Sequence, residues 1–390
     1  MSTVIYLDNN ATTRVDDAVV SEMLPYFGEL YGNPSSMHYF GGQVQRKIDE
    51  ARGRVAALLG AHPEEVIFTA CGTESDNTAI RSALEAFPEK RHIITTRVEH
   101  PAVLTLCRNL TKKGYRVTEL GVDGAGRLDL GELKRALDED TAIVSVMWAN
   151  NETGVVFPIE EIGALVKERG ALFHTDAVQA VGKIPLNMAA STVDMLAISG
   201  HKLHAPKGIG ALYVRKGTPF RPLLVGGHQE RSRRAGTEAT TSIIALGKAC
   251  EVASHWMEDE NTRVKALRDR LEAELMSRIP AARINGGGAP RLPNTLSIAF
   301  EFVEGEAILL LLSELGICAS SGSACTSGSL EPSHVLRAMG VPFTCAHGSI
   351  RFSLSRYTTE AEIDTVIREL PPIIRRLREI SPFGRDLLNS

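Results

Sequence analysis

From residue 65 to about residue 217, short apolar runs alternate with longer stretches of helical periodicity. That rhythm predicts βαβ units building a mainly parallel sheet. Seven strands are predicted, at 66–70, 92–98, 116–120, 142–149, 171–176, 195–199 and 210–214. Several are apolar at successive positions, as in strands covered by helices on both faces. A helical pattern from 241 to 278 follows, then a Gly/Pro-rich break at 285–293 that reads as a domain boundary. Beyond it the pattern predicts a strand at 294–300, an amphipathic helix at 304–315, a Ser/Gly-rich loop at 320–329, a strand at 349–353 and a helix from about Thr359. This second part is a smaller α+β unit, and the fold class is α/β.

Composition narrows the class. The chain has 390 residues, 43% hydrophobic and 23% charged, with a mean hydropathy of −0.04. It is folded almost throughout and long enough for two domains sharing a cleft. A net charge of −4, with basic residues spread along the chain, gives no footprint for nucleic acid. The first residues form no signal-like segment and no apolar run approaches bilayer length, so no membrane and a cytoplasmic location are expected. Six cysteines, at 71, 107, 250, 318, 325 and 345, include no Cys-x-x-Cys pair and no zinc-like spacing. Neither a disulfide framework nor an intrinsic metal site is expected.

Four local signals suit a bound aromatic phosphate. At Cys71-Gly72-Thr73-Glu74-Ser75 an apolar strand runs into a helix, whose first N–H groups and dipole suit an anion; taken alone, Thr73 reads by default as a helix cap. At Phe173-His174-Thr175-Asp176 a buried strand ends on an acid, where ligands of parallel sheets bind; Asp176 could also be a turn former. Lys202 lies between a buried strand and a Gly/Pro loop, where an exposed loop lysine is the ordinary reading; its position downstream of the strand that bears Asp176 shifts the balance to an imine-forming amine. Cys325 sits among small residues, Ser320-Ser-Gly-Ser-Ala-Cys325-Thr-Ser-Gly-Ser329, with no bulky neighbour to bury it, which favours a nucleophile over an incidental surface thiol.

Together with Tyr6-Leu-Asp-Asn-Asn-Ala-Thr-Thr13, Gly32-Asn-Pro-Ser35, Val98-Glu-His-Pro101, Asn150-Asn-Glu-Thr-Gly154 and Ser199-Gly-His-Lys202, these segments resemble the cysteine desulfurases over nearly the whole chain. Gly200-His-Lys-Leu-His-Ala-Pro-Lys-Gly208 and Gly226-Gly-His-Gln-Glu-Arg231 resemble the NifS branch, which serves nitrogenase clusters. The resemblance implies a fold-type I pyridoxal-phosphate homodimer. It implies a large cofactor-binding domain, 15–260, with a mainly parallel seven-stranded sheet, and a small domain of 1–14 and 261–390 carrying the Cys325 loop at about 320–330.

By the same resemblance, Lys202 matches the Schiff-base lysine, Asp176 the partner of the pyridine nitrogen, Gln179 a partner of the ring hydroxyl, and Asn151 a contact of ring and substrate. His100 matches the stacking imidazole that moves protons; Thr73, Ser199 and His201 match phosphate ligands, with Gly72 lending backbone. Thr237 matches a phosphate ligand given by the other subunit, and Arg351 the arginine that holds the substrate carboxylate. The implied reaction converts L-cysteine to L-alanine and leaves the sulfur on Cys325 as a persulfide, for an iron–sulfur scaffold protein. Through that persulfide Cys325 would transiently contact a nascent cluster. An aminotransferase or selenocysteine lyase on the same fold, a cysteine hydrolase using Cys325 with His334 or His347, and a non-enzymatic sulfur or cluster carrier remain alternatives. His204 reads as a packed or solvent-facing loop histidine.

Overall fold

The structure, a computed structural model, describes residues 4–321 and 332–381. Seven strands form one sheet in the order Val66–Thr69, Gly210–Val214, Met195–Ser199, Leu172–Asp176, Thr141–Ser145, His92–Thr96, Arg116–Leu120. Gly210–Val214 runs antiparallel to both neighbours and all other pairs are parallel. Six of the seven strands are buried along their whole length, as strands covered by helices on both faces are. The exception is the edge strand Arg116–Leu120.

Helices cover both faces. One face packs Ile67, Ile80, Val103 and Leu106; the other packs Phe68, Val144, Phe173 and Tyr213 against helices including Tyr39–Leu59 and Thr240–His255. A second core gathers both ends of the chain: Ile5 and Leu7 join Leu271, Phe300, Phe352, Ile363 and Leu370. An antiparallel sheet of Ala282–Ile284, Thr295–Phe300 and Ser349–Ser353 forms its floor, and Glu360–Ile380 closes it behind a capping box of Thr359 and Glu362.

Two expected elements differ. The regular strand expected at 142–149 ends at Ser145, although Val146 and Trp148 still donate to the carbonyls of His174 and Asp176; beyond them Asn150 Oδ1 accepts the N–H groups of Glu152 and Thr153 at 2.9 and 3.0 Å and turns the chain. The helix expected at 241–278 breaks at Trp256 and passes through a wide turn at Glu260–Val264 before resuming as Lys265–Arg278. There Asn261 donates to the carbonyls of Lys183 and Met257, so side-chain bonds support the irregular backbone.

Residues 9–16, which follow the short strand Ile5–Tyr6, join the two cores. Asn9 Nδ2 donates to the Ser353 carbonyl at 2.8 Å, and Asp16 accepts from Arg356 and Tyr357 at 2.8 and 2.5 Å. Those bonds hold residues 9–16 across the carboxyl ends of the parallel strands.

Candidate active site

A cavity of about 420 Å³ opens at those strand ends. The strand Leu172–Asp176 delivers Asp176, and Met195–Ser199 runs into a tight turn, Gly200–Lys202, that delivers Ser199, His201 and Lys202. The helix Gly72–Ala86 points its N-terminus at the same space with Gly72 and Thr73. His100 enters as the N-cap of Pro101–Thr111, its Nδ1 accepting the Ala102 N–H at 3.2 Å. From the second core Ser349–Ser353 contributes Arg351, and Asn151 and Gln179 complete the wall. Ten of the twelve residues singled out in the sequence therefore share one cavity. Thr237 does not: it is exposed and lies outside that lining. Cys325 falls outside the described residues, as does most of the loop expected around it.

Lys202 Nζ donates to the carbonyls of Asn10 and Ala11 at 2.5 and 2.7 Å. Arg351, 2% exposed, donates to Asp8 and the Asn151 carbonyl at 2.8 and 2.9 Å, and its Nε has no partner among the described residues. A guanidinium has five N–H donors, more than these two bonds use, and can meet a carboxylate side-on. Burial holds the Asp176 carboxyl above its usual range, against the opposing pull of His100, the Val178 N–H and Lys202. Burial likewise pushes His100 and His201 down, His201 to about 4 with Lys202 and Lys207 adding to the effect.

Comparison with known proteins agrees with this arrangement. The aminotransferase class-V description matches residues 5–366. The chain belongs to the class-V aminotransferase family. It is 66% identical over 383 residues to a Trichormus variabilis protein named cysteine desulfurase 2, an alignment covering 98% of this chain and 96% of the relative. It is 63% identical over 380 residues to the Azotobacter vinelandii cysteine desulfurase NifS, covering 97% and 94%. Among solved structures, a NifS-like protein superposes with a TM-score of 0.89 at 41% identity, covering 96% of this chain and all of that one. Within its family the chain groups with the cysteine desulfurases of the NifS branch.

The class-V aminotransferases are a family of pyridoxal-phosphate enzymes, and the cavity fits that group. A Cβ on Gly72 would stand 3.0 Å from Val178 Cγ2 and 3.4 Å from Ser199 Cβ, so glycine lets the helix start approach the strand end closely. That leaves backbone N–H groups facing the cavity for a phosphate. Gln179 Nε2 donates to the Asn10 carbonyl at 3.1 Å while its buried Oε1 has no partner among the described residues, an acceptor suited to a ring hydroxyl. The Asp176 carboxyl accepts the Val178 N–H at 2.9 Å, and a buried carboxyl so placed suits a protonated pyridine.

Asn10 and Asp76 are among the cavity residues that had no assigned role in the sequence. Asn10 ties the wall together, donating to Thr295 Oγ1 and the Asn151 carbonyl while its own carbonyl accepts from Lys202 and Gln179. Its signal was present in the Tyr6–Thr13 segment. Asp76 follows Thr73 by one helical turn, and a lone acid on the inner face of a buried helix was the available clue. His204 is packed, 5% exposed with φ 63°, its Nδ1 donating to the Arg14 carbonyl and its ring edge-on to Tyr357. His334 bonds the Glu99 carbonyl through Nε2 at 2.9 Å, and His347 lies against Phe343.

Proposed function

We propose that this chain is a pyridoxal-phosphate-dependent cysteine desulfurase: L-cysteine and the Cys325 thiol give L-alanine and a Cys325 persulfide. The observation that carries the reading is the convergence of an amine, a buried acid and a buried guanidinium, Lys202, Asp176 and Arg351, on one cavity. The names of the relatives support the reaction.

Gly72, Thr73, Ser199 and His201 would hold the phosphate, Gln179 and Asn151 the ring oxygen side, and His100 the ring face. Bound there, the cofactor supplies an electron sink for the substrate α-carbon. Asp176 holds a proton at the ring nitrogen. Arg351 binds the substrate carboxylate and so orients the Cα–H bond for cleavage. Lys202 holds the cofactor and, once the substrate amine has displaced it, moves the proton from Cα. The Cys325 thiolate attacks the substrate sulfur, forming S–S as Cβ–S breaks; the bonding pair goes to Cβ, which takes a proton on the way to alanine.

Ser320 is joined to Arg351 by backbone bonds in both directions, 3.2 and 2.6 Å.

We further propose the division into domains 15–260 and 1–14 with 261–390, a cytoplasmic homodimer, Thr237 serving the partner's phosphate, and an iron–sulfur scaffold protein as sulfur acceptor. Among the described residues no helix is long and apolar enough to cross a membrane.

The test is product analysis with L-cysteine. Alanine and sulfane sulfur are expected in equal amounts, and Cys325→Ala should stop sulfur release while cysteine still perturbs the cofactor absorbance. Keto-acid formation, or undiminished sulfide from the variant, would refute the reading. Lys202→Ala should lack any borohydride-reducible link to the cofactor.

A further inference from the structure

His174 and Asp176 are two residues apart on Leu172–Asp176, so their side chains leave the sheet on one face. The helix Gly72–Ala86 crosses that face and brings Asp76 to within 3.5 Å of His174, Oδ1 to Nε2. His174 Nδ1 is anchored 2.9 Å from Ser145 Oγ. Asp76 is 1% exposed and His174 wholly buried. Among the described residues neither Asp76 Oδ1 nor His174 Nε2 has a hydrogen-bond partner within ordinary length, although they face each other. Left unpaired, each such buried group keeps its full desolvation penalty, so a proton shared between them is strongly favoured.

The surrounding groups decide which of the two carries it. Besides His174, the titratable groups facing Asp76 are Asp176, Glu99 and Cys71, and none is a cation. An Asp76 carboxylate would therefore add a negative charge beside two other carboxyls with nothing to balance it. Burial raises Asp76, with Asp176, Glu99 and Cys71 adding to the effect, and burial holds His174 down to about 3. The arrangement with least buried charge is an Asp76 O–H donated to a neutral imidazole, whose Nδ1–H is donated to Ser145.

We propose that Asp76 is a positioning residue of this site: an uncharged acid that, bonded to His174, leaves Asp176 as the one anion available to a protonated pyridine. The inference rests on reading the cavity as a pyridoxal-phosphate site. Its proton balance closes within the site: Asp176 yields its proton to the ring nitrogen, leaving a carboxylate facing an N–H⁺, and Asp76 keeps its own.

Infrared spectra of the apoprotein at pH 7 read that protonation directly. Wild type minus Asp76→Asn should show the carbonyl band of a protonated carboxylic acid. Asparagine keeps a neutral donor to His174, so cofactor affinity, titrated by absorbance on apoprotein, should stay within about threefold of wild type. Asp76→Leu has no donor and should weaken affinity by about tenfold or more, roughly the worth of one buried hydrogen bond. A carboxylate band in the difference spectrum, or an asparagine variant as weak as the leucine one, overturns the proposal. The spectrum and the asparagine variant decide it even if Asp76→Leu fails to fold. Failure of wild-type apoprotein to bind pyridoxal phosphate would instead strike the reading of the cavity.

Discussion

Glu99 shows how the chemistry of single residues is set by what surrounds them. It is completely buried and pushed up to about 8, chiefly by burial, with Asp176 adding and the Met147 N–H and Thr96 O–H opposing. Its folded value therefore lies above the ordinary value of 4.5. The stability it contributes is full below about 4.5 and is lost as pH rises through about 8, because the unfolded chain releases its proton first. The buried histidines work in the opposite direction. His174 and His204 are held near 3 by burial, so their contribution is full above their ordinary value of 6.5 and is lost as pH falls toward 3. Glu99→Gln keeps the acceptor for Met147 and Thr96 but cannot ionise. Its melting temperature should fall less than that of wild type between pH 6 and pH 9; equal slopes would mean that Glu99 does not titrate in that window. The identity of Lys202, Asp176 and Cys325 as candidates was readable from local context, a strand end, a Gly/Pro turn and a small-residue loop. Asp76 and Asn10 were not, because their importance comes from partners far away in sequence, His174 and Thr295.

Among the elements, the parallel strands were the most legible because burial on both faces writes itself as an unbroken apolar run. Their ends were less so. Val146 and Trp148 still donate to the neighbouring strand, at the carbonyls of His174 and Asp176, although the regular strand has ended, so the apolar pattern outlasts it. Helix contacts depend on pairings that no single periodicity reveals. Gly247, in the middle of Thr240–His255, shows this: a Cβ there would stand 2.5 Å from Ala51 Cα in Tyr39–Leu59. The obstacle is backbone and cannot move aside as a side chain would. Gly247→Val should therefore cost about 1–3 kcal/mol, despite valine's better helix propensity, measured as a lowered denaturation midpoint. An unchanged midpoint would mean that the two helices separate without penalty.

At the scale of the whole molecule, the cavity depends on both cores, since Arg351 comes from one and Lys202 and Asp176 from the other. Residues 9–16 fasten them together through Ser353, Arg356 and Tyr357. Thr237 stands apart, exposed, a few residues after a segment in which Glu230, Arg231 and Ser232 all have positive φ. Glu230 is nevertheless firmly held, bonded to Arg52 through both oxygens and to the Phe68 N–H. If Thr237 serves the partner's site, a dimer pairing a Lys202→Ala subunit with a Thr237→Ala subunit keeps one complete site and about half of wild-type turnover. Wild type paired with the double variant keeps none complete. The reverse ranking of the two hybrids would place Thr237 in its own subunit's site.

The order of apolar and polar residues by itself determined the seven strands, the later α+β unit and the candidate amine, acid and thiol, because burial and turn formation act over a few neighbouring positions. Only the tertiary structure decided that Asp8 and Asn151 share Arg351, that Asn10 carries the lysine, and that Asp76 faces His174. Those contacts join residues up to 343 positions apart. Their strength comes from exclusion of water at the meeting point of two cores, a property that no short window of sequence contains.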